Sequence, residues 1–217
     1  MEIETKFMTE SAVASYGKPE YWEQRYTKDP EVLEWHQMSW PGLKDSLVPL
    51  LKQEHKILNV GCGNSRLSEE MYDDGYKQII NIDISNVVVK AMQEKYQDRT
   101  AMSFKHMDCR TMDFEKQTFN AVIDKATLDS IVFGESSFAN VHKYVTEVSR
   151  VLTDDGVFIV ISHAQPHYRL NFLDKPEFNW KIETLTVPRP IFAQNIAPID
   201  DKENVYYIYV CRKAPPS

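Results

Sequence analysis

Glycines and a carboxylate at the ends of two apolar runs have the types and spacing that suit a nucleotide-like ligand. Gly61 and Gly63 follow the apolar run at residues 57–60, and Asp83 ends a second run twenty residues after Gly63. Glycine adopts backbone dihedrals that other residues avoid and lets a ligand approach the main chain. A carboxylate at this distance suits hydrogen bonds from ribose hydroxyls one strand over. These residues predict a ligand pocket at the strand ends.

Two further carboxylates come where later strands should end. Asp108 follows a third predicted strand and Asp124 follows a fourth. A single Asp after a strand often only caps the next turn. The carboxyl ends of parallel strands meet at one edge of a sheet, where ligands bind. Acidic or glycine residues after four successive strands therefore favour a binding site at that edge.

The elements that must position these residues alternate between strand and helix. Apolar runs predict strands at residues 57–60, 79–83, 102–107, 119–123 and 157–162. Helical spacing predicts helices at residues 20–26, 43–51 and 66–72, one that Ser85 caps, and one through Val141, Val145, Val148 and Leu152 that a turn at residues 154–156 ends. A segment around Trp35, Trp40, Pro41 and Gly42 reads as a loop. This alternation predicts a parallel sheet with helices on both faces.

The C-terminal part of the chain does not continue this alternation of strands and helices. Residues 180–187 and 205–210 read as strands, and the residues between them contain prolines and no helical period. Such a pair should be antiparallel and lie at the sheet edge. The predicted fold is therefore α/β, with a single Rossmann-like, doubly wound sheet of seven strands, mostly parallel with an antiparallel C-terminal hairpin strand. We expect one domain at residues 19–217, preceded by a mobile arm at residues 1–18.

Composition excludes several functional classes. A chain of 217 residues can bury enough surface to fold without disulfides or a structural metal. Its net charge of −7 and pI near 5.4 argue against a general nucleic-acid binder. The three cysteines form no CxxC pair, which indicates free thiols in a reducing compartment. Without a signal peptide or a long apolar run, we expect a soluble, cytoplasmic protein with no membrane partner.

The residues after the glycine turn distinguish between cofactors. A dinucleotide site would place a third glycine where this chain has Arg66. S-adenosylmethionine has no phosphate and carries a sulfonium and an ammonium group, which carboxylates and carbonyls stabilise. We therefore favour S-adenosylmethionine over NAD. Metal chemistry is disfavoured, because Pro166 lies between His163 and His167, the one histidine pair at helical spacing.

Four motifs extend this interpretation. They are Tyr-Trp-Glu-Gln-Arg-Tyr at 21–26, Ile-Leu-Asn-Val-Gly-Cys-Gly-Asn-Ser at 57–65, Asp-Ile-Ser at 83–85 with three valines at 87–89, and Asp-Lys-Ala-Thr-Leu-Asp at 124–129. Through them the chain, from about residue 19 to 152, resembles the methyltransferase-like branch of class I methyltransferases. That branch includes the elongation factor 1-alpha lysine methyltransferases. The resemblance implies S-adenosylmethionine as cofactor and a protein lysine as acceptor, on elongation factor 1-alpha or a similar translation protein.

The resemblance also implies roles at the methionine end of the cofactor. Trp22 and Tyr26 would close over this end. Tyr26 and Arg25 would lie near its carboxylate, and Trp35 would line the same region. Gly61 would approach the methionine moiety.

The remaining implied roles concern the adenosine end and the opening of the pocket. Asp83 would bind the ribose hydroxyls, and Ile84 would lie beneath the adenine. Asp108 and Cys109 would meet the adenine edge. Lys125 would lie where the pocket opens toward the substrate.

Two carboxylates are candidates for catalysis. Asp124 and Asp129 could orient the acceptor amine or take its proton, although Asp129 could instead be a helix-start charge. The family's glycine before the Thr-Leu-Asp segment is Ala126 here, which matters if the backbone there needs a positive φ.

Three other functions stay open at this point. A small-molecule methyltransferase is favoured if residues 163–180 and 188–204 enclose an apolar pocket. A cofactor-binding interaction module would bind without turnover. An NAD-dependent enzyme is the third, and Arg66 disfavours it.

Overall fold

The computed structural model describes residues 15–31, 34–134, 136–190 and 204–214. These residues form one mixed sheet with the strand order β3-β2-β1-β4-β5-β7-β6. The strands are β1 Ile57–Val60, β2 Ile79–Asp83, β3 Met102–His106, β4 Phe119–Lys125, β5 Leu152–Ser162, β6 Trp180–Pro188 and β7 Val205–Lys213. β1 to β5 run parallel, and β7 is antiparallel to both β5 and β6. The predicted fold class is confirmed.

Helices pack on both faces of the sheet, and each connection between consecutive parallel strands contains a helix except the one from β3 to β4. They are α1 Pro19–Lys28, α2 Trp40–Leu47, α3 Leu67–Asp73, α4 Asn86–Lys95, α5 Thr127–Val132, α6 Ser137–Val151 and α7 Pro166–Leu173, with short 3-10 helices at Trp35–Gln37, Val48–Leu50 and Pro176–Phe178. Proline occupies the first turn of α1, α2 and α7. It suits that place because the first N–H groups of a helix need no partner within the helix.

Two cores lie on opposite faces of the sheet. Along β5, Ile159 and Ile161 belong to one core, whereas Phe158 and Val160 belong to the other. Side chains alternate faces along a strand, so a continuous apolar run contributes to both cores. The apolar face predicted around Val141 supplies much of the second core.

The structure departs from the sequence interpretation most clearly around Trp40 and around Leu152. Trp40 starts α2 and is buried, although the sequence reads as a loop there. Leu152 continues the helical spacing of α6 but begins β5, because its backbone is extended and it pairs with Phe119. The predicted turn at residues 154–156 therefore lies inside β5, next to an irregularity in the pairing with β4.

The C-terminal strands pair as predicted, but the edge strand is β6. β7 lies between β5 and β6. α7 follows β5, and it begins at Pro166 and leaves His163 outside the helix.

The N-terminal arm is described only in part, because residues 1–14 lie outside the described residues. The carbonyl of Tyr16 accepts a hydrogen bond from the Trp22 indole at 2.8 Å, so residues near position 16 contact α1. The domain boundary stays a prediction.

Candidate functional site

A pocket opens at the carboxyl ends of β1, β2 and β4, where the order of the strands reverses around β1. Its void is about 910 Å³, including the part open to solvent. We name it the strand-end pocket. Of the predicted cofactor residues it is lined by Trp22, Tyr26, Trp35, Gly61, Gly63, Asp83, Ile84, Asp108, Cys109 and Lys125. The structure thus brings them together, and their contacts with a cofactor stay predictions.

The glycine turn and Asp83 form one hydrogen-bonded unit. Gly63 N–H donates to one oxygen of Asp83 at 2.8 Å, and Ser85 N–H donates to the other at 2.9 Å. Burial raises the pKa of Asp83 above its ordinary value, while these backbone N–H groups oppose the rise. Each carboxylate oxygen has a further lone pair, so Asp83 could also accept hydrogen bonds from ribose hydroxyls.

Both glycines are required by backbone conformation and by space. Gly61 has a φ of +59° and Gly63 a φ of +50°, in the left-handed region. A Cβ on Gly61 would collide with the Thr127 side chain, and one on Gly63 with the Tyr26 hydroxyl. The turn therefore brings its bare backbone to the pocket wall.

Aromatic rings form one side of the pocket. Trp22 lies with its ring centroid 6.1 Å from that of Tyr26 and 5.9 Å from that of Trp35. Tyr16 stacks on Trp22 at 5.8 Å. Aromatic faces attract cations, and a desolvated cation gains most from them. This side of the pocket suits the sulfonium of S-adenosylmethionine.

Arg25 is the one predicted cofactor residue that does not line the pocket. Its guanidinium pairs with the Asp29 carboxylate at 2.8 Å, one helical turn along α1. Spacing on α1 brings Trp22 and Tyr26 onto one side of the helix, and Arg25 projects elsewhere.

Lys125 is buried at the pocket wall and makes an ion pair with Glu34. Its Nζ atom donates to Glu34 Oε2 at 3.0 Å and to the Trp35 carbonyl at 3.1 Å. Burial lowers the pKa of Lys125, and the Glu34 carboxylate opposes this shift. Glu34 also accepts hydrogen bonds from Ser65 Oγ at 3.0 Å and from Arg66 N–H at 2.5 Å.

Asp108 and Cys109 lie two and three residues past the end of β3, not at its last residue. Arg110 pairs with Asp108 at 2.7 Å. Burial opposes the ionisation of Asp108, but the hydrogen bonds from Arg110 outweigh it and lower the pKa. Burial raises the pKa of the Cys109 thiol well above its ordinary value, so the thiol stays protonated at neutral pH.

Asp124 supports the turn into α5. It is fully buried, does not line the pocket, and accepts hydrogen bonds from the Tyr144 hydroxyl at 2.7 Å, Thr127 N–H at 2.8 Å and Leu128 N–H at 2.9 Å. Burial raises its pKa to about 7. The structure thus gives Asp124 a positioning contact, and its burial does not favour the predicted contact with substrate. Ala126, in the same turn, has a φ of +73°.

Asp129 lies at the centre of a buried polar network. Its Oδ1 atom accepts hydrogen bonds from the Ser162 hydroxyl at 2.5 Å and from Arg169 at 2.8 Å. Its Oδ2 atom lies 2.7 Å from His163 Nδ1 and 3.6 Å from His36 Nε2. Burial opposes ionisation, but His163 and Arg169 outweigh it and hold the pKa of Asp129 well below its usual range. Asp129 is therefore an ionised, paired carboxylate, and it lies in the first turn of α5 as a helix-start charge would.

Sequence reasoning missed three residues of the site region. Glu34, His163 and Arg169 find their partners only in the folded sheet. His163 was considered only as a metal ligand together with His167. In the part of the chain that the structure describes, no group of histidine, cysteine and carboxylate residues could hold a metal. Cys62, Cys109 and Cys211 are free thiols.

Comparison with a protein family decides the general class. The methyltransferase domain family matches residues 51–209. The chain belongs to this family. S-adenosylmethionine is therefore its cofactor, as predicted, and the pocket's carboxylate, aromatic rings and bare glycine turn fit that molecule. No helix among the described residues is long and apolar enough to cross a membrane.

Two relatives are informative about the reaction. EEF1A lysine methyltransferase 4 of Mus musculus is 35% identical over 181 residues, which are 79% of this chain and 71% of the relative. The eEF1A lysine and N-terminal methyltransferase of Mus musculus is 40% identical over 156 residues, which are 70% of this chain. The chain covers only 22% of the length of that second relative.

Solved structures support the fold. A methyltransferase of Burkholderia thailandensis with bound S-adenosylhomocysteine has a TM-score of 0.64 at 15% identity, covering 94% of this chain and 88% of that chain. The [4+2]-cyclase SpnF has a TM-score of 0.61 at 18% identity, covering 96% of this chain and 98% of that one. Because a methyltransferase and a cyclase share the fold, these likenesses do not define the reaction.

Proposed function

We propose that this protein transfers the methyl group of S-adenosylmethionine to a lysine side chain of a protein, with elongation factor 1-alpha as the first candidate substrate. The observation that carries the proposal is the 35% identity to EEF1A lysine methyltransferase 4 over 71% of that relative. The shared stretch is long enough to include the strand-end pocket. The acidic chain, with a net charge of −7, also suits a basic protein surface.

Different residues of the pocket bind the cofactor and close over it. S-adenosylmethionine supplies the methyl group and a good leaving group, so the protein mainly has to position the reactants and exclude water. Asp83 and the glycine turn hold the adenosine part. Trp22, Tyr26 and Trp35 cover the sulfonium end and keep water from it.

Lys125 and Glu34 limit the opening toward the acceptor. Their ion pair joins the segment before Trp35 to the end of β4. We propose that the acceptor amine enters between this pair and α5, where Ala126, Ser130 and Ile131 line the pocket.

Labelling in vitro tests the function. Purified protein is incubated with S-adenosylmethionine that is tritiated on the methyl group and with purified elongation factor 1-alpha. We expect a labelled band at the factor, and none with the factor's lysines blocked by prior acetylation, which turns each amine into a non-nucleophilic amide. Label that appears only in small molecules from a cell extract would contradict the proposal and favour a small-molecule methyltransferase.

Localisation follows from the same proposal. A translation factor as substrate implies a cytoplasmic enzyme. Imaging of the tagged full chain should show cytoplasmic signal, and signal confined to a membrane-bound organelle would contradict this.

A further inference from the structure

We propose that His163, oriented by Asp129, is the general base that removes a proton from the acceptor amine before methyl transfer. The inference rests on the proposed function, because it assigns this role within an amine-methylating site. A protonated amine has no lone pair with which to attack a methyl group. A group that takes the proton at the site therefore accelerates the reaction.

Asp129 fixes the tautomer of His163. Its Oδ2 atom lies 2.7 Å from Nδ1 and also accepts the backbone N–H of His163 at 3.2 Å. An ionised carboxylate accepts a hydrogen bond, so the hydrogen belongs on Nδ1 and the lone pair on Nε2. Ser162 and Arg169 bind the other oxygen and keep the carboxylate from turning.

His163 does not itself line the strand-end pocket, but two links connect it to the pocket wall. It follows the last residue of β5, and in that strand Ile161 pairs with Lys125 of the pocket wall. The His163 ring stacks parallel to Phe133 with centroids 6.4 Å apart, and Phe133 contacts Tyr16 of the lining at 6.4 Å. The His163 side chain is 36% exposed, so a proton taken from the amine can pass to water.

Among the described residues, the charged groups near His163 are paired with one another. Asp129 of α5 is balanced by Arg169 of α7. Lys125 of β4 is balanced by Glu34. On the neighbouring 3-10 helix, burial lowers the pKa of His36 to about 3, so that ring is neutral at physiological pH.

The other candidate bases are less suited to this role. Asp124 is buried beneath three hydrogen bonds. Asp129 has both oxygens occupied and is held ionised by its partners. His36 is buried. His163 is partly exposed to solvent, and its hydrogen bond to Asp129 leaves the lone pair on Nε2.

Nε2 of His163 takes one proton from the substrate's ammonium group, and His163 becomes positively charged. The amine lone pair then forms the N–C bond as the C–S bond of the sulfonium breaks, and the electron pair of that bond stays on sulfur. The positive charge passes from sulfur to the methylated nitrogen. His163 finally releases its proton to water.

The test compares His163→Asn with His167→Asn. Asparagine keeps a donor for Asp129 but has no basic nitrogen. His167 is exposed, lies on α7, and has no hydrogen bond or ion pair with Asp129, so the same change there is a matched control. Both variants are checked for folding by circular dichroism and for S-adenosylmethionine affinity by calorimetry.

With elongation factor 1-alpha as substrate, we expect His163→Asn to lower kcat at pH 7 by about 10²- to 10⁴-fold. The deficit should shrink about tenfold per pH unit as solvent deprotonates the amine. Cofactor affinity and the His167→Asn enzyme should stay within about twofold of wild type. If the kcat of His163→Asn stays within about threefold of wild type at every pH, His163 is not the general base, while the proposed function remains intact.

Nitrogen NMR of the wild-type protein, labelled at its histidines, tests without any substrate whether Asp129 fixes the tautomer of His163. We expect the hydrogen of neutral His163 on Nδ1. A hydrogen on Nε2 would overturn the proposal whether or not elongation factor 1-alpha is methylated.

Discussion

The ammonium group of Lys125 lies 3.0 Å from the carboxylate of Glu34, and this ion pair joins the segment before Trp35 to the end of β4. Lys125 is buried, whereas the side chain of Glu34 is 21% exposed. The same carboxylate binds the backbone after the glycine turn through Arg66 N–H. One pair of side chains therefore couples the aromatic side of the pocket to the glycine turn.

Breaking the pair should destabilise the protein and weaken cofactor binding together. We expect Glu34→Gln to lower the free energy of unfolding by roughly 2 kcal/mol, less than for a fully buried pair because Glu34 is partly exposed. In a double-mutant cycle with Lys125→Met, the two losses should not add. Urea unfolding of the four proteins measures this coupling, and additive losses would contradict the link.

Asp83 should control cofactor affinity. We expect Asp83→Asn to raise the Kd for S-adenosylmethionine by about 10- to 100-fold, because hydrogen bonds to a charged group contribute roughly 1.5–3 kcal/mol each. Calorimetry measures the affinity, and Asp113→Asn on the exposed surface is the control. An unchanged Kd for Asp83→Asn would show that the ribose does not bind there.

Ala126 should be a site of stored backbone strain. It holds a φ of +73°, in the left-handed region that a Cβ disfavours by roughly 1–2 kcal/mol. Glycine loses more entropy on folding, which offsets part of the gain. We expect Ala126→Gly to stabilise the fold by about 0.5–1 kcal/mol and to raise Tm by about 1–4 °C. Scanning calorimetry measures the shift, and a lower Tm would show that the Cβ makes a contact worth more than the strain.

His36 should make the fold sensitive to acid. Burial lowers its pKa from 6.5 to about 3, so the unfolded chain takes up a proton before the folded protein does. The stability it contributes is fully present above pH 6.5 and is lost as pH falls toward 3. At pH 5 the loss is about 2 kcal/mol.

Acidification should therefore destabilise the wild type relative to His36→Gln. Asp124, whose pKa burial raises to about 7, acts in the opposite direction in both proteins, so the comparison removes its effect. The free energy of unfolding, measured in urea, should fall more for the wild type than for the variant between pH 7 and pH 5. A difference between the two proteins that stays the same at both pH values would contradict the assignment of a buried neutral His36.

Local pattern predicted the elements that hold the cofactor. β1 and β2 were identified at their observed bounds, because short apolar runs end at the glycine turn and at Asp83. The start of β5 was not, because Leu152 continues the spacing of α6 and only pairing with Phe119 makes it a strand. Propensity and periodicity do not report such tertiary pairing.

The polar contacts of the site depend on the fold and not on spacing. Glu34 and Lys125 are 91 positions apart, and Asp129 and His163 are 34 apart. The sequence made Asp129 a candidate for catalysis but could not supply its partners. The sequence also could not show that the Asp124 carboxylate accepts hydrogen bonds from the start of α5 and from Tyr144.

Peptide mapping by mass spectrometry tests most directly whether this protein methylates a lysine of elongation factor 1-alpha. The factor is taken from cells that lack this protein, cells that express it, and cells that express Asp83→Ala. We expect one lysine that is methylated only with the wild-type protein and that regains methylation when purified enzyme and S-adenosylmethionine are added to the factor from deficient cells. Lysine methylation that is identical in all three cell lines, with no transfer in vitro, would contradict this expectation.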